Sequence, residues 1–170
     1  MPTWAQRSAL VLAVLVGLAA APGASDPAER NLEPVRIGTW VRWEGLKWGE
    51  GAAVVCQLAS QPFSSLGPAS ERPQLTVERR PGGRVSVKLS RKSGYPPATK
   101  ATLSLASASF AFSRGDSSAV AEDSGAVVSA MQAKMQAVAR IVYPDGKRDI
   151  DTYSLRSFQA AYRAIEAACP

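Results

Sequence analysis

The alternation of polar and apolar positions is clearest near the end of the chain. Asp149, Asp151 and Tyr153 alternate with Ile150, Thr152 and Ser154, the period of a strand with two unlike faces. The preceding Pro144-Asp145-Gly146-Lys147 has turn chemistry, because proline presets one φ angle and glycine accepts a positive one. Ala137 to Tyr143, with its β-branched and aromatic residues, is the expected partner strand of a hairpin. After Leu155 the period becomes helical. Phe158, Ala161, Tyr162, Ile165 and Cys169 form one apolar stripe, with Gln159, Arg163 and Glu166 on the opposite side. Ser154 or Ser157 is placed to accept a hydrogen bond from the first free N–H groups. A helix of about three turns is marginal alone, so its stripe is expected to dock on the sheet with Cys169 pointing inward.

Further upstream, Val54 to Ser60 reads as a strand. Leu75, Val77, Val85, Val87 and Leu89 alternate with polar residues on both sides of Pro81-Gly82-Gly83, which predicts a second hairpin. Ala101 to Leu105 and Phe110 to Phe112 give two short strands. Ala126 to Lys134 reads as a short helix with Val127, Val128 and Met131 on one side. Trp40, Trp43 and Trp48 are close together. Exposed, they would suggest a sugar or lipid surface, but their commoner role is to cover the edge of a core. About eight turn-separated strands with two helices predict a mainly β chain. Its expected architecture is an antiparallel β-sandwich-like domain with a short helix and a C-terminal helix docked on the sheet.

Residues 1–25 carry the pattern of a secretory signal peptide. Arg7 gives a positive start, Ala9 to Ala21 is apolar, and small residues follow. The run is short of the ~20 apolar residues a membrane span needs, so no transmembrane anchor is expected after cleavage. Residues 26–38, polar and containing Pro27 and Pro34, predict an extended N-terminal arm, and residues 39–170 form one domain. Export permits a disulfide. Cys56 and Cys169 are the two cysteines present, so one connectivity is expected, the alternative being two inert buried thiols.

Composition narrows the chemistry. There is no histidine, which removes the commonest general base and metal ligand. The cysteines lack Cys-x-x-Cys spacing and no glycine-rich phosphate loop precedes a helix. A non-catalytic protein without cofactor is expected. Asp145, Asp149 and Asp151 are close enough in sequence to hold calcium, or two of them to share a proton. The plainer reading is that Asp145 shapes the turn while Lys147 and Arg148 neutralise neighbours at the surface, so no metal is expected. The chain has 20 basic and 14 acidic residues, and loss of Arg7 with the leader leaves 19 against 14. Arg79, Arg80, Arg84 and Lys88 lie in the most basic stretch and suggest a patch for anionic lipid or lipopolysaccharide. The ordinary alternative is a solvated strand face that discourages edge pairing. Export argues against nucleic acid as the natural target.

The close of the chain also resembles a known family. Asp151-Thr152-Tyr153-Ser154-Leu155, then Phe158, Ala160-Ala161-Tyr162, Ala164-Ile165 and Ala168-Cys169-Pro170, resemble the invasion-associated locus B family. Ala130-Met131 followed by the strand through Met135 fits the same order. So do Cys56 with Ala59-Ser60-Gln61-Pro62, and Gly94-Tyr95-Pro96. The chain departs from the pattern at Trp43, where relatives often have a cysteine shortly after the first tryptophan. The resemblance implies an exported, mostly β protein of Gram-negative bacteria. The family is named from pathogens in which a member promotes entry into host red cells. The implied location is the periplasm, or else the outer surface or medium, with an unknown protein or envelope component as partner. The shared motifs are structural and include no catalytic signature.

Overall fold

In the computed structural model, residues 33–71, 73–115 and 117–170 are described. The expected signal segment and residues 26–32 of the arm lie outside them. Eleven strands form one antiparallel sheet in the order β1-β2-β3-β5-β6-β9-β8-β7-β10-β11-β4. They are β1 (Val35–Trp40), β2 (Trp43–Trp48), β3 (Val55–Ser60), β4 (Ser64–Ser65), β5 (Gln74–Arg80), β6 (Arg84–Ser90), β7 (Lys100–Leu105), β8 (Ala108–Arg114), β9 (Ser118–Ala121), β10 (Gln136–Val142) and β11 (Arg148–Ser154). The helices are α1 (Ser124–Gln132) and α2 (Phe158–Ala168). The mainly β fold with a docked C-terminal helix is therefore as the sequence predicts. The sheet curls until the strands next to its two ends meet: Trp43 Nε1, in β2, donates to the Ser154 carbonyl of β11 at 3.0 Å.

Both sequence-predicted hairpins form. Gly82 and Gly83 adopt φ of 78° and 74° between β5 and β6, a backbone that side-chain-bearing residues rarely take. β10 and β11 pair from Gln136↔Ser154 to Val142↔Arg148. Four strands were not legible in the pattern, among them β2, which starts at Trp43 after a turn that separates it from Trp40. Residues 35–38 of the extended arm are paired into β1, and the two-residue β4 and the short β9 are too brief for a period to show. α1 begins two residues before the expected Ala126, because the Asp123 side chain accepts from Ala126 N at 2.9 Å. Ser157 stands at the start of α2 in a left-handed conformation and makes no side-chain cap, whereas Ser154 Oγ accepts from Arg156 N at 3.3 Å.

The core fills the concave side. Leu58, Leu75, Val77, Leu103 and Leu105 are fully buried there together with Met131 of α1 and Phe158 and Ile165 of α2. α2 lies against β1, β2 and β3, and α1 against β6 and β9. Trp43 is fully buried, its ring 4.9 Å from that of Phe158. Trp40 lies over Gly38 and Gly45, where a Cβ would stand 2.8 Å from its ring.

Cys56 and Cys169 form a disulfide with Cα atoms 6.0 Å apart. Cys56 stands in one register row with Lys47 of β2 and Arg79 of β5. Lys47 Nζ donates to the Ala168 carbonyl at 3.1 Å, and Arg79 Nε to the Cys169 carbonyl at 2.9 Å. The free carbonyls at the end of α2 thus meet two cations on either side of a covalent bond, which suits the negative end of the helix dipole.

Candidate functional site

β11 inverts the usual rule for a strand. Asp149, Asp151 and Tyr153 face inward and are buried, while Ile150 and Thr152 face out. The reason is Arg91, the residue after β6. Strand alternation places it inward after Val87 and Leu89, and it is 5 % exposed. Its Nη2 lies 2.7 Å from Asp151 Oδ2 and its Nη1 2.9 Å from Asp149 Oδ2. The Nη1 contact is off the axis of a hydrogen bond, and Nε has no partner among the described residues. Ser65 Oγ of β4 donates to Asp151 Oδ1 at 2.5 Å, and Tyr143 Oη to Asp149 Oδ2 at 2.7 Å. Burial opposes the charge on Arg91, but the carboxylates of Asp151 and Asp149 win and its pKa is raised.

Sequence reasoning placed Arg148 and Lys147 as the neutralising partners at a surface. Instead the two aspartates are buried and held by Arg91, which the alternation of β6 could have identified as inward-facing. Asp145 does shape the turn: its Oδ1 accepts from Lys147 N at 3.0 Å and its Oδ2 pairs with Lys147 Nζ at 2.8 Å. The three aspartates therefore split into a buried pair and a turn residue. Among the described residues no three of His, Cys, Asp or Glu are grouped to hold a metal.

Beside this cluster opens a cleft of about 500 Å³. Pro68, Pro96, Pro144 and Tyr143 supply apolar walls, with Glu71, Asp145 and Asp149 among its polar groups. Gly67 makes the geometry possible, since a Cβ there would lie 2.9 Å from Asp149 Oδ1. The arrangement is a preformed recess over a locked charge network. With both carboxylates engaged by a guanidinium, it suits binding better than proton transfer.

Three tyrosines around the cluster are poised to report on it. Burial pushes Tyr95 up to about 12, against the pull of Arg91. Burial, then the hydrogen bond to Asp149, raises Tyr143, and burial, then Asp151, raises Tyr153. Unfolded tyrosines ionise near about 10. Above that pH the unfolded chain binds fewer protons than the folded one, so stability falls as pH rises. The contribution is fully present below about pH 10 and, for Tyr95, is lost progressively towards about 12. Urea midpoints should hold steady up to about pH 10 and then decline, and Tyr95→Phe should reduce the slope. A midpoint flat through that range contradicts the burial of these hydroxyls.

The basic stretch does not assemble into one patch. Arg80 and Arg84 are exposed and directly paired across the β5–β6 hairpin. Lys88 shares their face but is 2.7 Å from Glu78 Oε2. Arg79 points to the opposite, concave side, where it caps α2 and lies 3.8 Å from Glu166. Neighbouring positions of a strand face opposite ways, so a stretch that is basic in sequence divides between two faces in space.

No helix among the described residues is long and apolar enough to cross a membrane. No family model matches the chain. No curated protein matches it either. Among solved structures, the crystal structure of invasion associated protein B from Bartonella henselae is similar, with a TM-score of 0.57 at 16 % sequence identity. The match covers 79 % of this chain and 97 % of that one. At this identity the likeness is one of fold.

Proposed function

We propose that this chain is an exported, non-catalytic binding domain of a bacterial envelope, acting in the periplasm on a protein or envelope component. The observation that carries the reading is the Cys56–Cys169 bond. Such bonds persist in oxidising compartments and are rare in the cytosol. The leader-like residues 1–25 and the fold likeness support the same reading. A recess walled by prolines and tyrosine, over charges already engaged, supports binding in place of catalysis. A second reading, a surface-exposed or released factor contributing to host-cell adhesion or invasion, is favoured by the name of the similar structure.

Protease treatment of intact cells, blotted beside a periplasmic control, separates the two. Protection until the outer membrane is opened supports the periplasmic reading. Digestion with the control intact overturns it in favour of the surface reading. Recovery of the protein with free thiols from cells would sink export altogether.

A further inference from the structure

The convex face of β7, β10 and β11 carries charge that no described residue neutralises. Lys100, Val142 and Arg148 occupy one register row across these three strands, so Lys100 and Arg148 flank Val142 about 10 Å apart. Two residues along β10, Arg140 lies between Thr102 and Ile150. Arg140 Nη1 donates to Ser104 Oγ at 2.8 Å, which fixes the guanidinium to the sheet. Lys134 precedes β10, at the end of the strand opposite the Lys100–Arg148 row. All four cations are exposed, and none forms an ion pair among the described residues. Asp145 at the rim is taken by Lys147.

The same face is concave locally and partly apolar. A depression of about 400 Å³ is lined by Lys134, Met135, Val138 and Arg140, with Ser104 and Ala106 opposite. Met135 is 64 % exposed. Leu66, 68 % exposed, continues the β4–β11 register beside Ile150, to whose carbonyl its N–H donates at 2.8 Å. Both helices pack elsewhere, on β1 to β3 and on β6 and β9. Lys100 and Arg140 sit on interior strands, so protection of a sheet edge does not account for them.

We propose that this face docks on a membrane surface containing anionic phospholipid, its cations meeting headgroup phosphates and its exposed apolar side chains entering the interface. Membrane interfaces reward that mixture, since electrostatic attraction adds to apolar burial. A soluble polyanion would engage the cations alone. Single-stranded nucleic acid is disfavoured because these rows carry no aromatic side chain on which a base stacks. The inference rests on the envelope reading only for where a membrane is met, and the two fail separately: protease access tests location, vesicle binding tests the face.

The test uses the chain in the form the cell leaves after export, with vesicles of phosphatidylglycerol and phosphatidylcholine or of phosphatidylcholine alone. Flotation should show binding to the anionic vesicles that weakens with salt. K100E/R140E/R148E should reduce it by at least about tenfold. R42E/R80E/R84E makes the same change in net charge elsewhere and should leave it within about threefold. K100Q/R140Q/R148Q, with unfolding curves for each variant, separates lost binding from lost folding. Equal binding to both vesicle types overturns the proposal. So does an equal loss in both charge-reversal variants, or full competition by inorganic phosphate, which would make the site one for a free anion.

Discussion

Replacing Cys169 by Ser is expected to lower the stability of the protein by roughly 2–5 kcal/mol. The bond spans 113 residues, for which the chain-entropy model gives a loss near the upper end, about 5 kcal/mol. Cys56→Ser and the double variant should lose the same amount as the single change, because each removes one and the same link. That equality distinguishes loss of the cross-link from loss of packing at either sulfur, which would add. Urea unfolding of the variants, beside the wild type with and without reductant, measures it. Midpoints that do not move would show that Lys47 and Arg79, with the buried stripe of α2, hold the helix without covalent help.

Arg91→Met is expected to cost about 3–5 kcal/mol. The substitution keeps much of the volume but strands two buried carboxylates that, among the described residues, retain a tyrosine and a serine as donors. A buried ion network is poor evidence of net stabilisation, because desolvating its charges offsets their attraction. Adding Asp149→Asn and Asp151→Asn to Arg91→Met should therefore recover most of the loss, since the amides still accept from Tyr143 and Ser65. A single Arg91→Met variant within about 1 kcal/mol of wild type would mean that water reaches the cluster, and the locked recess would go with it.

These two groups also mark how far the sequence could be read. The hairpins and α2 were legible because each repeats one period over enough residues, as Phe158, Ala161, Tyr162 and Ile165 do. The cysteine pairing was legible because there was one choice to make. Arg91 was missed because a charged residue after a strand resembles solvent-facing punctuation, although the alternation of Val85, Val87 and Leu89 points it inward. Asp149 and Asp151 showed a two-faced strand without showing which face was inside. That depends on a cation nearly sixty residues away in sequence, and local periodicity holds no information about it. β4 has two residues and no period to detect. The recess depends on Gly67 and on three prolines that meet only once the sheet has curled. The depression on the convex face likewise brings Ser104 beside Arg140, a neighbour set by strand order alone.

The row formed by Lys47, Cys56 and Arg79 has a consequence for the order of events in the cell. Cys56 leaves the ribosome 113 residues ahead of its partner. Until α2 follows, the first cysteine is a lone thiol on an unfinished surface, exposed to mixed disulfides with any other thiol it meets. Oxidation therefore comes late, and the neighbouring cations cannot find their helix carbonyls before α2 itself is made. A chain halted before α2 would carry a free Cys56.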